Sequence, residues 1–419
     1  MILLFRRMLP VLLAGSIFFN SSAPAQPAWT IYNNVNSPLL INTIRCITID
    51  SQNRKWIGTD WGLAIYDDVN WTIDTIGNSG LPDNNIRCIT FDPSGNAWLG
   101  TFNSGAVKYD GTTWTIYSSS NSGLPNDFVK GIAFDTAGNP WFATADGLAT
   151  YDGSIWKVWN MSNSPLLSTN IACIAVGSND MKYLGTFNGG FYNFDGDTTW
   201  QAFSHIDNTL PDNTVLSIAF DSVGSRWLAM PAQGIIALDD VAPPQWSSTT
   251  NSLIPTDAIV HIMVDSLQKK YLCSQDEGFI IYDGTFFTKY NSFNSPMPDD
   301  YTLCTAKDHN GILWVGTYNG GLVRVDELLL AVENAAEEIS SFTIYPNPAS
   351  KQLAISNWQL AMNKIEVYDF NGRQVIIQEH PEKHSQQIIV DVSFLSPGIY
   401  FLRIFSDSGS ETRKFVKVQ

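Results

Sequence analysis

Seven short turns, spread evenly along this sequence, carry side chains that could bind a ligand. Most combine an aromatic ring with an amide or a carboxylate, which suits the apolar faces and hydroxyl groups of sugars and also suits peptide side chains. The candidate ligand-binding residues are Asp60, Trp61, Phe102, Asn103, Asp146, Phe187, Asn188, Gln233, Asp276, Glu277, Tyr318 and Asn319. Binding residues usually gather in turns carried by a rigid scaffold. The alternative interpretation is that these aromatic rings only cover the edge of a hydrophobic core.

Catalysis is the competing class of function. Paired carboxylates of the kind that cleave glycosidic bonds could come from the same turns. The carboxylates concerned are Asp60, Asp146, Asp276 and Glu277. The sequence contains no nucleophile elbow, phosphate-binding loop, zinc-ligand spacing or Ser/His/Asp order, and His205 and His261 fit structural roles. We therefore predict no catalytic residues and keep a carbohydrate-active hydrolase or lyase as the weaker alternative.

The turns belong to a repeat that predicts the architecture. A Trp or Tyr anchor recurs every 42 to 44 residues within a phrase close to D-x-x-G-x-x-W-x-G-T-x-x-G-x-x-x-Y-D-G. The anchors are Trp56, Trp98, Trp141, Tyr183, Trp227, Tyr271 and Trp314. Such a period marks a chain of supersecondary units that bury their apolar faces against one another. Each unit holds four short alternating segments and no helical pattern, which is typical of one β-propeller blade.

The number of units predicts how the propeller closes. The seventh unit stops after Val325-Asp326, before any fourth strand, whereas Trp29-Thr-Ile-Tyr32 near the N-terminus copies the fourth strand Trp114-Thr-Ile-Tyr117. We predict an all-β protein whose seven-bladed propeller is closed by this N-terminal strand, so that no sheet edge stays open. Six or eight blades are the alternatives.

Two repeated polar positions raise the question of metal binding. An Asp before the first turn of most units is predicted to cap backbone N–H groups, since no unit supplies the dense oxygen ligands that calcium prefers. Four cysteines share one position on different blades and are predicted to be small buried residues, not disulfide partners: Cys46, Cys88, Cys173 and Cys304. A ring of thiols with His261 around a metal is the alternative. We predict no metal and no cofactor.

Composition and charge limit the partners and the location. The first 25 residues contain Arg6 and Arg7, an apolar run too short to cross a bilayer, and Ala23-Pro-Ala25, which predicts a signal peptide. No membrane span is predicted beyond it.

The net charge of the chain is −16, and residues 1–340 hold 16 Lys and Arg against 33 Asp and Glu. An acidic propeller without a basic stripe argues against a nucleic-acid partner.

The C-terminal part has a different pattern. An acidic linker is predicted at 331–341 after a propeller spanning 27–330, and alternating strands with turns in 342–419 predict a small Ig-like β-sandwich. This part resembles the C-terminal sorting domain of the type IX secretion system in Bacteroidetes. The matching positions are Tyr345, Pro346, Asn347, Pro348, Gly372, Arg373, Gly398, Tyr400, Lys414 and Lys417. The resemblance implies export through the periplasm to the outer-membrane surface or the medium, with the secretion machinery as partner. The alternative is an ordinary Ig-like module.

The blade phrase resembles the repeats of two-component-regulator propellers, which form the periplasmic sensors of some bacterial hybrid histidine kinases that respond to glycans. The second and third repeats match best, whereas Ala229-Met230 and Cys273-Ser274 depart from the phrase. The chain has no kinase core, so the resemblance implies a propeller able to bind, not signalling. We expect a secreted or cell-surface propeller that binds a glycan, a peptide or a protein partner. A scaffold protein without a small ligand is the alternative.

Overall fold

The computed structural model describes residues 28–239, 245–250, 252–327, 343–356, 362–369, 373–379, 387–406 and 409–418. All 35 elements within these ranges are β-strands. The predicted signal peptide and the predicted linker lie outside the described residues. The all-β class predicted from the repeats is confirmed.

The first part of the chain forms antiparallel sheets of four strands each. After β1 (Trp29–Tyr32), the first sheet contains β2 (Ile44–Ile49), β3 (Lys55–Thr59), β4 (Gly62–Tyr66) and β5 (Trp71–Asp74). The second contains β6 (Ile86–Phe91), β7 (Ala97–Thr101), β8 (Ala106–Tyr109) and β9 (Trp114–Tyr117). The third contains β10 (Val129–Phe134), β11 (Pro140–Thr144), β12 (Gly147–Tyr151) and β13 (Trp156–Trp159). In each sheet the strands lie in sequence order.

The next three sheets repeat this order. The fourth contains β14 (Ile171–Val176), β15 (Lys182–Thr186), β16 (Phe191–Phe194) and β17 (Trp200–Phe203). The fifth contains β18 (Ser217–Phe220), β19 (Arg226–Met230), β20 (Gly234–Leu238) and β21 (Gln245–Ser247). The sixth contains β22 (Ile259–Val264), β23 (Lys270–Ser274), β24 (Phe279–Tyr282) and β25 (Phe287–Tyr290).

The seventh sheet differs because its strands come from both ends of the repeat region. It contains β26 (Thr302–Lys307), β27 (Leu313–Thr317) and β28 (Leu322–Val325), and its fourth strand is β1. The N-terminal strand therefore completes the sheet that contains Trp314, as predicted. Tyr32 on this strand packs against Tyr66 and Trp71 of the first sheet, with ring centroids 5.4 and 5.7 Å apart.

Neighbouring sheets pack closely because a small residue faces a larger one across the first two strands. Cys46 pairs with Gly58, and a Cβ at Gly58 would lie 2.4 Å from Cys46 Sγ and 2.8 Å from Ile86 Cγ2 of the next sheet. The equivalent pairs are Cys88–Gly100, Cys173–Gly185, Gly131–Ala143, Ser217–Ala229 and His261–Cys273. In the third sheet the small and the larger residue are exchanged, whereas in the sixth sheet His261 and Cys273 are both larger than the Cys and Gly that they replace. All five cysteines are free thiols, as predicted; Cys273 and Cys304 are buried, whereas Cys46, Cys88 and Cys173 are only half-buried.

The first and seventh sheets pack on each other in the same way. A Cβ at Gly316 would lie 2.6 Å from Cys304 Sγ and 2.7 Å from Ile44 Cγ2 of the first sheet. The thiol of Cys304 lies 3.7 Å from the carbonyl oxygen of Ile44. The sheets therefore follow one another around a ring, which is the arrangement of a β-propeller.

Substituting Gly58 by Ala is expected to lower the free energy of unfolding by about 1–3 kcal/mol, because the added methyl group has no space beside Cys46 and Ile86. Adding Cys46→Gly should restore part of that loss, since the third sheet already holds a Gly–Ala pair there. The control is Gly77→Ala, whose Cβ would meet only Thr75 Oγ1 at 3.7 Å. Urea denaturation of the three variants measures the effect. Equal stability of Gly58→Ala and the control would contradict the packing argument.

The repeated Asp caps the first turn of its unit, as predicted. Asp92 Oδ1 accepts the backbone N–H of Asn96 at 2.9 Å, and its Oδ2 accepts the indole N–H of Trp98 at 3.2 Å. Equivalent bonds join Trp56 to Asp50, Trp141 to Asp135, Trp227 to Asp221, Tyr271 to Asp265 and Trp314 to Asp308. The Asp and the aromatic anchor of the repeat therefore form one hydrogen-bonded unit, which explains why both recur.

The C-terminal part forms two further antiparallel sheets. One contains β29 (Thr343–Tyr345), β30 (Gln352–Ser356) and β33 (Gln387–Asp391). The other contains β31 (Met362–Asp369), β32 (Gln374–Glu379), β34 (Gly398–Ser406) and β35 (Gly409–Lys417). Side chains from both sheets share one core that includes Leu353, Val367, Leu402 and Phe415. Two sheets around one core form a β-sandwich, which is compatible with the predicted Ig-like module.

Residue packing divides the chain into two compact units. One includes residues 54–305 and 315–324, and the other includes residues 306–314 and 325–419. The domain boundaries derived from the sequence remain predictions.

Candidate functional site

The turns between the second and third strands share one rim with the loops that lead into the next sheet. In every sheet the first residue after this turn is a glycine whose backbone N–H donates to a carbonyl of the next connecting loop. The bonds are Gly62 to Asn84, Gly105 to Asp127, Gly147 to Thr169, Gly190 to Asn213, Gly234 to Asp257, Gly278 to Asp300 and Gly321 to Asn42, at 2.7–3.1 Å. This confirms that the turns and connecting loops lie together. The twelve candidate residues are therefore on one rim of the propeller.

The connecting loops are held by a hydrogen-bonded Asn-Ser pair. In the loop after the second sheet, Asn121 accepts from the backbone N–H of Ser118 at 2.7 Å, and Ser122 Oγ donates to the Ser118 carbonyl at 2.7 Å. The same pairs are Asn36-Ser37, Asn78-Ser79, Asn163-Ser164 and Asn294-Ser295. These internal bonds satisfy loop backbone groups without solvent and favour a preformed rim.

The candidate residues differ in how far they reach solvent. Trp61 is 58% exposed, Tyr318 38% and Phe102 37%, whereas Phe187 is half-buried. Asn103, Asp146, Asn188, Asp276 and Asn319 are exposed, and Asp60, Gln233 and Glu277 are half-buried. Three aromatic side chains are thus accessible to a ligand on this rim.

Three cations lie among these aromatic rings, and the sequence analysis did not select them. Arg45, Arg87 and Lys130 occupy the same position in the first strands of the first three sheets. Each falls at a register shift between the first and second strands, as between Ile86 and Cys88. A residue in such a bulge has no cross-strand partner, so its side chain need not follow the in-and-out alternation of the strand. The signal in the sequence was a cation in three consecutive copies of a variable repeat position.

Arg45 is neutralised within the rim. Its Nε and Nη2 donate to the two carboxylate oxygens of Asp60 at 2.8 and 2.6 Å. The guanidinium also lies over the Tyr318 ring, 5.4 Å from its centroid. The hydrogen bond that Arg45 donates to Asp60 raises the pKa of Arg45, although burial opposes this. Asp60 is therefore an ion-pair partner, not a carboxylate available to a substrate.

Arg87 has aromatic neighbours but no ion-pair partner in the described part of the chain, although the charges of Asp60 and Asp83 act on its pKa. Its guanidinium lies 4.8 Å from the Phe102 centroid and 5.6 Å from that of Phe128, and these two rings contact each other edge to face. Its buried Nε has no hydrogen-bond acceptor. Burial lowers the pKa of Arg87, and the neighbouring charge of Arg45 lowers it further.

Lys130 continues the same series. Its ammonium lies over two rings, 4.8 Å from the Phe128 centroid and 4.6 Å from that of Phe187, and it donates to the side-chain oxygen of Asn170. Burial, followed by the charge of Arg87, lowers the pKa of Lys130 to about 8. Perturbed ionisable groups in a partly open site are typical of functional positions.

The acidic candidates on the other side of the rim point to structural partners. Glu277 binds the ammonium of Lys289 and accepts from Asn291 Nδ2 at 3.3 Å. Asp276 accepts from Thr256 Oγ1 at 3.2 Å. Among the exposed amides, the backbone N–H of Asn103 donates to Asp83 at 2.8 Å. The structure therefore concentrates the aromatic candidates around the cations and leaves these acidic residues in separate local networks.

The alternative metal site receives no support from the described residues, in which no cluster of three or more His, Cys, Asp or Glu side chains could hold an ion. His261 is half-buried, with its Nε2 shielded from solvent and Ser217 Oγ 3.3 Å from its Nδ1. Burial lowers the pKa of His261 to about 4. It lies opposite Cys273 in the pairing of β22 with β23.

Acidification is expected to destabilise the propeller through His261. Its folded-state pKa of about 4 lies below the unfolded value of about 6.5, so the unfolded chain binds the proton more readily. Stability present above pH 6.5 is therefore lost as the pH falls towards 4, by about 3 kcal/mol at most. Thermal unfolding of His261→Gln between these pH values should show a shallower loss than the unaltered protein. The control is His205→Gln in a connecting loop, and equal slopes for all three proteins would contradict the assignment.

Comparison with protein families identifies both parts of the chain. Residues 80–103 and 296–319 match the family described as two component regulator propeller. Residues 343–418 match the family described as secretion system C-terminal sorting domain. The chain combines regulator propeller repeats with a secretion sorting domain. It is a secreted propeller protein, and its sorting domain implies export to the cell surface or the extracellular space.

Solved structures share the fold of the regulator propeller. The extracellular domain of BT3049 from B. thetaiotaomicron, described as a hybrid two component system, has a TM-score of 0.68 and 19% identity over 94% of this chain and 57% of that chain. PorZ of Porphyromonas gingivalis, described as a surface component of the type-IX secretion system, has a TM-score of 0.56 and 19% identity over 92% and 61%. Virginiamycin B lyase from Staphylococcus aureus has a TM-score of 0.56 and 13% identity over 71% and 98%.

These similarities define the fold and no more. The chain spans only 57% and 61% of the first two structures, and all identities are below 20%. A comparison with curated proteins gave no match. Within the described residues, no helix has the length and hydropathy needed to cross a membrane.

The motifs of the sorting domain contact one another in its sandwich. Asn347 Oδ1 accepts from the backbone N–H of Val416 at 2.9 Å, and its Nδ2 donates to the Lys414 carbonyl at 3.2 Å. Ala349 pairs with Lys417, which is buried. The opening motif of Tyr345, Pro346, Asn347 and Pro348 therefore lies beside the closing strand. This contact brings two stretches separated by the whole sorting domain into one surface.

The remaining sorting motifs lie at turns and in the core. Asp369 Oδ1 accepts from the backbone N–H of Arg373 at 2.9 Å, and the Arg373 side chain is 80% exposed. Gly372 lies outside the described residues. Gly398 begins β34, and Tyr400 packs on Phe415 with ring centroids 5.6 Å apart.

Proposed function

We propose that this protein binds a glycan or peptide ligand at the rim formed by the second-to-third-strand turns, and that its sorting domain delivers it through the type IX secretion machinery. The propeller would occupy 27–330 and the sorting domain 342–419. The observation that carries the binding role is the series of aromatic rings and cations from Tyr318 to Phe187 on the first four and the seventh sheets. Preformed aromatic surfaces with a few polar groups are typical of ligand sites.

The same rim also carries most of the exposed apolar side chains of the connecting loops. They are Val35, Leu40, Ile76, Met161, Leu167, Ile206, Leu253 and Phe293, each at least 50% exposed. Exposed apolar groups around a polar centre favour an interaction surface. They also keep the scaffold alternative open, since a protein partner could cover them.

Glycan and peptide arrays probed with the purified protein test the proposal. Trp61→Ala and Phe187→Ala are expected to weaken binding about tenfold or more, because each removes an aromatic surface at the rim. The control is Phe286→Ala, which removes a 46% exposed ring from the hairpin at the opposite rim. Loss of binding in all three variants would contradict the proposed site. No binding to any array by the unaltered protein would favour the scaffold function.

We further propose that the rim is not catalytic. Two of the four candidate carboxylates, Asp60 and Glu277, are engaged in ion pairs with Arg45 and Lys289. Virginiamycin B lyase shares the propeller fold, but at 13% identity that similarity carries no activity to this chain. Polysaccharide cleavage that is abolished by Asp146→Ala would overturn this proposal.

A further inference from the structure

We propose that the rim recognises an acidic sugar, with the carboxylate of a uronic acid residue bound by Arg87 and Lys130 and the sugar ring packed on the neighbouring phenyl rings. This inference deepens the proposed function and rests on it. It selects the carboxylated sugar from the wider class of glycan and peptide ligands, and it places the anion at a defined pair of cations.

The first argument is the unbalanced charge of this pair. Arg45 is paired with Asp60, but the side chains of Arg87 and Lys130 have no carboxylate partner among the described residues. Arg87 Nε is buried without an acceptor, and the Lys130 ammonium has only the Asn170 amide oxygen. Two adjacent half-buried cations therefore form a site that an anion would satisfy.

The second argument concerns how the protein holds these cations. Phe128 lies between them, within 5.6 Å of the Arg87 guanidinium and 4.8 Å of the Lys130 ammonium. Phe102 and Phe187 extend the aromatic surface on either side. Cation–π contacts hold a positive charge in place without neutralising it. The arrangement keeps both charges available while presenting apolar rings beside them.

The third argument is the match to a uronic acid. Its carboxylate is attached directly to a ring whose C–H faces are apolar, so one sugar residue can contact a cation and a phenyl ring together. A guanidinium fork also matches a carboxylate in two-point geometry. An acidic peptide side chain carries its carboxylate on a flexible stem with no adjoining apolar face. The chemistry of the site therefore favours the sugar over the peptide.

The overall charge argues for local recognition of a carboxylate and against attraction of a polyanion. The chain carries a net charge of −16, so a highly charged polymer would be repelled outside this small positive area. A short oligosaccharide with spaced carboxylates would meet the cations with less repulsion.

Calorimetric titration of the full-length protein with trigalacturonic acid tests the inference, and its methyl ester serves as the neutral probe. The acid is expected to bind at least tenfold more tightly than the ester. Arg87→Gln and Lys130→Gln should each reduce affinity for the acid about tenfold or more, since each removes a charged hydrogen bond. The control Lys157→Gln removes an exposed cation of β13 and should leave affinity within about twofold.

The pH dependence provides a second readout that does not require a variant. Arg87 is the charged group that faces Lys130, and the other neighbours are Asn170, Phe128 and Phe187. Because burial and Arg87 lower the pKa of Lys130 to about 8, its ammonium loses its proton between pH 7 and pH 9. Affinity for trigalacturonic acid should fall over this interval in the unaltered protein and stay flatter in Lys130→Gln.

The outcomes separate this inference from the proposed function. Equal binding of the acid and its ester, with loss of both in Trp61→Ala, would overturn the acidic sugar and leave the rim as a binding site. Tighter binding of an acidic peptide than of trigalacturonic acid would overturn the sugar class. Unchanged affinity in both Arg87→Gln and Lys130→Gln would overturn the assigned cations. Binding that no rim variant alters would overturn the proposed function itself.

Discussion

A chain truncated after Glu338 is expected to accumulate in the periplasm, with almost none at the cell surface or in the medium. The truncation removes the whole region that matches the sorting domain, 343–418, and leaves every strand of the seven propeller sheets. The sorting domain is therefore expected to be necessary for the final export step. It is expected to be dispensable for the folding of the propeller sheets.

Cell fractionation with immunoblotting measures this effect. The matched control is the chain with Lys157→Gln, which alters the propeller surface alone and should be exported normally. Circular dichroism and thermal unfolding of the periplasmic product establish whether the propeller has folded. Normal amounts of folded, truncated protein in the medium would show that the sorting domain is not required.

Deleting residues 28–32 is expected to produce the largest loss of stability among the changes considered. The deletion removes the fourth strand of the seventh sheet and exposes the edge of β28. It also removes the contact of Trp29 with Tyr290 and those of Tyr32 with Tyr66 and Trp71, each of which contributes about 0.5–1.5 kcal/mol. The free energy of unfolding should fall by at least about 3 kcal/mol.

Hydrogen exchange provides the sharpest measurement of this effect. Backbone amides of Leu322–Val325 should exchange faster in the deletion variant, whereas those of the second sheet should keep their protection. The control is Ile116→Thr, which changes a 37% exposed side chain on the fourth strand of the second sheet without removing a strand. Unchanged protection and an unchanged melting temperature would refute the closing role of β1.

The sequence predicted the architecture well because the repeat carries redundant information. Seven copies of a four-strand pattern made the strand order visible, and the copy of Trp114–Tyr117 at Trp29–Tyr32 revealed the source of the closing strand. The Asp of the repeat was assigned to turn capping, which the structure confirms. Its second bond, to the indole of Trp98, was missed because the two residues are six positions apart on different elements.

The candidate site was predicted less completely because its contacts join different blades. The turn residues were found from their aromatic and polar types, but Arg87 lies in a first strand and was hidden within a hydrophobic pattern. Its contact with Phe128 crosses from the second sheet to the loop of the third. Likewise, Glu277 was a plausible site residue by type, whereas its partner Lys289 follows from the pairing of β24 with β25. Such contacts depend on three-dimensional neighbours that a single repeat does not contain.

The mixed origin of the seventh sheet has a consequence for biogenesis. A ribosome releases β1 long before it releases β28, so the earliest strand must wait for its hydrogen-bonding partner until nearly all the repeats have been synthesised. Pairing of such distant segments slows folding, because the loop must close before the contacts between them can form. The seventh sheet therefore cannot be completed until synthesis has passed Val325, so closure of the ring is a late event in the folding of the nascent polypeptide.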